Sequence, residues 1–115
     1  MKKIVVFASG GGSSAENLYL YFSRKSNIKV LKLYCNNPGA GVLKRDGMSS
    51  LEKLLFNDEE LISDKILNDL KKLSPDLIVL AGFLKKIPLK ITNFFGNKIV
   101  NIHPSLLPKY GGKGM

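Results

Sequence analysis

The 115-residue chain has one cysteine, one histidine, no tryptophan, and only 9 acidic residues against 18 basic ones. A lone Cys35 cannot close an internal disulfide, and no paired Cys/His set is present to hold structural zinc. The interior must therefore hold the fold unaided. The longest uninterrupted apolar run, Leu77 to Leu84, spans eight residues and stops at Lys85-Lys86. That is far too short to cross a bilayer and reads as a buried strand. The opening Met1-Lys2-Lys3-Ile4-Val5-Val6-Phe7 loses its apolar character at Ser9 and breaks into glycines, so a secretory leader is not expected. The expectation is a cytoplasmic protein with no membrane partner. No block of five or six basic residues occurs, so the net charge of +9 reads as a solvated basic surface suited to anionic small molecules rather than a nucleic-acid arm.

With 44% apolar and 23% charged residues, the chain has the composition of one globular domain with a sizeable core. Ile4 to Ala8, rich in Ile and Val and ending at Ser9-Gly10-Gly11-Gly12, reads as a strand buried on both faces of a parallel sheet. A helix should follow, with Leu18, Tyr21 and Phe22 at helical spacing, Ser14 as its N-cap and Glu16 in its first turn. Ile28 to Tyr34 reads as a second strand, closed by the turn cluster Cys35-Asn36-Asn37-Pro38-Gly39. Between Gly41 and Phe56 only a short helical piece near Val42 to Arg45 stands out, and no third strand can be placed. Asp58 to Leu73 carries Leu61, Ile62, Ile66, Leu67, Leu70 and Leu73 in the rhythm of one amphipathic helix, capped by Asn57 or Asp58 and ended by Ser74-Pro75. Leu77 to Gly82 reads as a strand, Pro88 to Phe95 as a helix and Lys98 to Ile102 as a final strand. This alternation predicts an α/β open sheet, mostly parallel, with helices on both faces and ligands bound beyond the carboxyl ends of the strands.

Three segments directly follow strands and carry the chemistry. Gly10, Gly12 and Ala15 match a relaxed dinucleotide-binding pattern, but no Asp or Glu lies between Glu16 and Asp46 to hold a ribose, which argues against NAD. No Lys-Ser or Lys-Thr pair directly follows the glycines, so a triphosphate loop is excluded. What fits is a single phosphate on the helix N-terminus, solvated by backbone N–H groups of Gly12, Ser13 and Ser14. The competing reading is a plain tight turn. In Asn101-Ile102-His103 the period of two puts Asn101 and His103 on one side of a strand exit. There an amide donates to a developing oxyanion, and an imidazolium adds charge or passes a proton. Pro104 and Pro108 stiffen the loop beyond, which suits a catalytic pair and a structural turn equally.

The run Asn101-Ile102-His103-Pro104-Ser105-Leu106-Leu107-Pro108-Lys109-Tyr110, with Ala81-Gly82-Phe83 and the Ser9-Gly10-Gly11-Gly12-Ser13 loop, resembles the phosphoribosylglycinamide formyltransferases, folate-dependent enzymes of purine synthesis within a wider formyltransferase superfamily. The resemblance covers the whole chain and implies a Rossmann-like sheet. It implies formyl transfer from 10-formyltetrahydrofolate to the amine of 5'-phosphoribosylglycinamide, with no metal. Gly12, Ser13 and Ser14 would hold the substrate phosphate. Leu84, Lys85, Lys86 and Ile87, with Asn101, would bind the folate, and Asn101 and His103 would be catalytic. Two positions depart from the family pattern: Ser14 stands where Asn is common, and Glu59 where many members carry a basic residue. The family also uses an Asp well downstream of the His motif, whereas no acid follows Asp76 here. Residues 1–115 therefore read as the N-terminal, phosphate-binding part of a single formyltransferase domain, truncated before its C-terminal strands and inactive alone.

Two other readings compete. An enzyme like methionyl-tRNA formyltransferase would suit the charge but leaves the triple glycine unexplained. A non-catalytic module that binds a phosphorylated ligand would need only the glycine loop.

Overall fold

The computed structural model describes residues 1–102. Five strands form one all-parallel sheet in the order β3-β2-β1-β4-β5: β1 (Lys2–Ala8), β2 (Ile28–Cys35), β3 (Glu52–Leu55), β4 (Leu77–Ala81) and β5 (Ile99–Ile102). Helix α1 (Ser13–Ser23) packs on one face with two 3-10 turns, Gly41–Lys44 and Asp46–Met48. Helices α2 (Asp58–Ile62), α3 (Asp64–Leu73) and α4 (Leu89–Phe95) cover the other. The predicted open parallel sheet with helices on both faces is the architecture observed.

The central strand explains the layering. In β1, Ile4, Val6 and Ala8 face α1, while Val5 and Phe7 face α3, and all five are buried. A register shift between Ile4 and Val5 sets Val5 opposite Lys32, and period two then places Lys32 and Tyr34 on the α3 face. There Phe7 stacks on Tyr34 with ring centroids 4.6 Å apart, and Phe56 and Phe83 meet Phe7 at 6.2 and 5.2 Å. The α1 face is built from smaller groups, among them Ala8, Ala15, Ala40 and Ala81, so helix and loops approach the sheet closely.

Several local expectations are corrected. The segment from Asp58 to Leu73 is two helices, because Asn57 closes a reciprocal capping box with Glu60 and Ser63, extended at ψ −178°, caps a new helix. Ile62 consequently lies exposed rather than in the core. The strand that begins at Leu77 ends at Ala81, since Gly82 turns at φ 71°, and Leu84, counted within the apolar run, is 83% exposed. Tyr21, placed by periodicity on the helix's inner face, is exposed while Leu18 and Phe22 pack inward. Pro88 caps α4 instead of opening it, and the last strand starts one residue after Lys98. The unassigned third strand is Glu52–Leu55, hard to see because it is a four-residue edge strand with no fully buried side chain.

Candidate active site

The strand order reverses direction between β1 and β4: the chain leaves β1 toward α1 on one face and leaves β4 toward α4 on the other. A crevice opens where the two exits diverge. It is a cleft of about 160 Å³ lined by Gly10, Gly11, Gly12, Ser13, Ser14, Ala81 and Gly82. The three predicted phosphate-binding residues are thus brought together against the exit of β4. Helix α1 is capped by Gly12 at φ 84° with no side-chain cap, which corrects the assignment of that role to Ser14. A Cβ at Gly12 would collide with both the side chain and the backbone of Val42, so only glycine fits there. The first α1 bond to the loop runs from the Glu16 N–H to the Gly12 carbonyl at 2.8 Å. Among the described residues, the N–H groups of Gly11 through Ala15 meet no acceptor. These donors and the positive end of an 11-residue helix make the cleft complementary to an anion.

Ser9, which from sequence marks the end of the strand and the start of the glycine loop but has no bonding role assigned, joins the loops of the site. Its side chain is buried. Its hydroxyl donates to Asn36 Oδ1 at 2.6 Å and accepts from the Leu84 N–H at 2.9 Å, and its own N–H donates to the Gly82 carbonyl at 3.2 Å. One small residue thereby ties the exits of β1, β2 and β4. A hydroxyl wedged between an apolar strand and a glycine run was the available signal, because a buried Ser needs partners.

A second, polar cleft of about 410 Å³ is lined by Asn36, Asn57, Asp58, Glu59 and Lys85. Lys85 reaches Asp58 at 3.3 Å. Of the predicted folate residues only Lys85 lines this cleft, together with Glu59, the acidic departure. Ile87 packs with Phe83 against the α3-side core, and Leu84 and Lys86 are exposed. Asn101 is exposed on β5, paired with Leu80 next to the β4 exit but lining neither cleft. His103 lies outside the described residues, as do Pro104 to Tyr110. Among the described residues no group of three or more His, Cys, Asp or Glu side chains could hold a metal, and no helix is long and apolar enough to cross a membrane.

Away from the clefts, a charged cluster sits under the α3 face. Lys32 contacts Asp69 at 2.9 Å and Glu52 at 3.3 Å, and the Tyr34 hydroxyl donates to Asp69 at 2.5 Å. Burial works against the Lys32 ammonium, but the two carboxylates, Asp69 first, outweigh it and raise its pKa. Burial, reinforced by Asp69, raises that of Tyr34. Burial also opposes the Asp69 carboxylate, yet hydrogen bonds from Tyr34 and Lys32 hold its pKa below the ordinary value.

The family model described as formyl transferase matches residues 2–115. A chloroplastic phosphoribosylglycinamide formyltransferase of Arabidopsis thaliana is 35% identical, over 99% of this chain and 41% of its own length. The phosphoribosylglycinamide formyltransferase of Haemophilus influenzae is 38% identical, over 97% of this chain and 56% of its own length. The crystal structure of phosphoribosylglycinamide formyltransferase from Brucella melitensis superposes with a TM-score of 0.80 at 30% identity, covering 96% of this chain and 61% of that one. The chain thus spans about half the length of the curated relatives it matches. With a parallel sheet that superposes on a solved member and a glycine loop and Asn-x-His motif inside the matched region, the chain belongs to the formyl transferase family.

Proposed function

We propose that this chain supplies the substrate-phosphate site and part of the catalytic edge of an enzyme that transfers a formyl group from 10-formyltetrahydrofolate to the amine of 5'-phosphoribosylglycinamide. The observation that carries this reading is the cluster of N–H groups at Gly12, Ser13 and Ser14, unpaired among the described residues and opening on the crevice beside Gly82, one strand away from Asn101. Relatives similar over nearly the whole chain bear the name of that activity.

In this mechanism the N–H groups of Gly12, Ser13 and Ser14 hold the phosphate, with the α1 dipole favouring its charge. The backbone of the loop from Leu84 to Ile87, with Lys85 at the polar cleft and Asn101 on the neighbouring strand, would contact the folate. As the substrate amine attacks the formyl carbon, the Asn101 amide and the His103 imidazolium stabilise the oxyanion. The amine then gives up a proton, the folate nitrogen takes one as it leaves, and in this reading His103 passes it. Neither a covalent enzyme intermediate nor a metal ion enters these steps.

The test is formyl transfer by a full-length enzyme that contains this sequence, with glycinamide ribonucleotide and methionyl-tRNA offered as competing acceptors. The ribonucleotide should be formylated, and His103→Ala should lower kcat by at least about 100-fold while leaving ribonucleotide affinity within about two-fold. Transfer to the tRNA instead, or unchanged turnover in the variant, would overturn the reading.

A further inference from the structure

The glycine loop is held from behind by a segment that the phosphate reading does not use. The Val42 N–H donates to the Gly10 carbonyl at 3.0 Å, and Arg45 Nε donates to the Gly11 carbonyl at 2.5 Å. Arg45 Nη1 also meets Glu16 Oε1 at 2.8 Å, in the first turn of α1. Gly41 approaches the loop as well, since a Cβ there would lie 3.4 Å from the Gly11 Cα. The first 3-10 turn and Arg45 thus form a brace along one side of residues 10–12.

A trans peptide points the carbonyl of one residue and the N–H of the next in opposite directions. The described chain contains no cis peptide. Anchoring the Gly10 carbonyl on Val42 therefore turns the Gly11 N–H away from the brace, and anchoring the Gly11 carbonyl on Arg45 turns the Gly12 N–H the same way. The loop lines the cleft with Ser13, Ser14, Ala81 and Gly82, and among the described residues the Gly11 and Gly12 N–H groups meet no acceptor. Glu16 adds a second requirement. A carboxylate in the first turn would repel a bound phosphate, and Arg45 neutralises it.

We infer that Arg45 is a positioning residue for the phosphate site: by holding the Gly11 carbonyl and the Glu16 carboxylate, it presents the Gly11 and Gly12 N–H groups as preorganised donors. The inference rests on the phosphate reading of the glycine loop. It assigns a role in substrate affinity to a residue 34 positions from the loop carbonyl it holds.

The experiment is an NMR titration of a full-length enzyme that contains this sequence with ribose 5-phosphate, following the backbone amides of Gly11 to Ser14 at low and at 0.5 M salt. Wild-type amides should shift saturably. Arg45→Met should weaken binding by about ten-fold, the worth of roughly one hydrogen bond, with the loss persisting at high salt because it is not long-range attraction. Arg45→Lys, which keeps the charge but cannot make both contacts at once, should recover only part of the affinity and serves as the readout if Arg45→Met fails to fold. Wild-type affinity in both variants would overturn the positioning role and leave the phosphate reading intact. Absence of wild-type shifts would remove the phosphate reading and the inference with it.

Discussion

The two faces of the sheet are built on opposite principles. The α3 face is packed with large groups, including Phe7, Tyr34, Phe56 and Phe83, and closes over a charged cluster of Lys32, Asp69 and Glu52. The α1 face uses alanines and the 3-10 turns, and its loops are tied mainly by backbone carbonyls and N–H groups. The difference separates stability from ligand chemistry. Aromatic area drives folding but keeps backbones apart, whereas small residues bury less area and let a glycine loop and a helix N-terminus approach a ligand.

The comparison breaks most visibly if a large residue of the α3 face proves dispensable. Phe7 is fully buried and contacts three aromatic rings, so Phe7→Ala should lower unfolding free energy by about 3–4 kcal/mol in denaturant melts. A loss under about 1 kcal/mol would place the main stabilisation elsewhere.

Next in size is Asp69→Asn, which leaves the buried Lys32 ammonium without its nearest carboxylate. The cost should be about 2 kcal/mol, below the roughly 3–5 kcal/mol of fully buried pairs because Asp69 keeps part of its side chain in water. The pKa of Asp69 is depressed by folding, so its contribution is present above the unfolded carboxylate value, near 4, and fades as pH falls through the lower folded one. The pKa values of Lys32 and Tyr34 are raised, so their contributions are present below their unfolded values and fade as pH rises through the folded ones. The gap between wild type and Asp69→Asn should therefore stay flat from roughly pH 5 to 9 and narrow in acid. A gap that widens in acid would contradict this ion pairing.

The smallest stability effect, and the sharpest test of the division of labour, belongs to Ser9→Ala. Removing the hydroxyl orphans the Leu84 N–H and costs about 1 kcal/mol in the same melts. It should nonetheless disturb the amides of Gly82 to Leu84, seen as chemical-shift changes, more than Phe7→Ala does. The reverse order would erase the distinction between the faces.

Elements with one strong period were legible before any coordinates. The runs of β1 and β4 read as buried strands because both of their faces are apolar, and Ser74-Pro75 marked the end of α3, where Ser74 turns left-handed at φ 52°. The break at Ser63 was hidden because the apolar spacing continues across it while the caps on either side set the chain direction. Strand β3 was hidden because its identity comes from pairing Lys32 to Cys35 with Glu52 to Leu55, a relation between distant residues rather than a local pattern.

The same division runs through the site. Glycines after a strand, two serines and an Asn-x-His motif are local signals, and they carry the proposal of a phosphate loop and a catalytic edge. By itself the sequence determined the parallel α/β class, the strands that carry the site and the residue types available there. Only the tertiary structure decided that Ser9 ties three strand exits together and that Val42 and Arg45 brace the glycine loop. Those contacts join residues 27 to 75 positions apart, and a hydrogen bond at such separation exists only once sheet pairing and helix packing have brought its ends together.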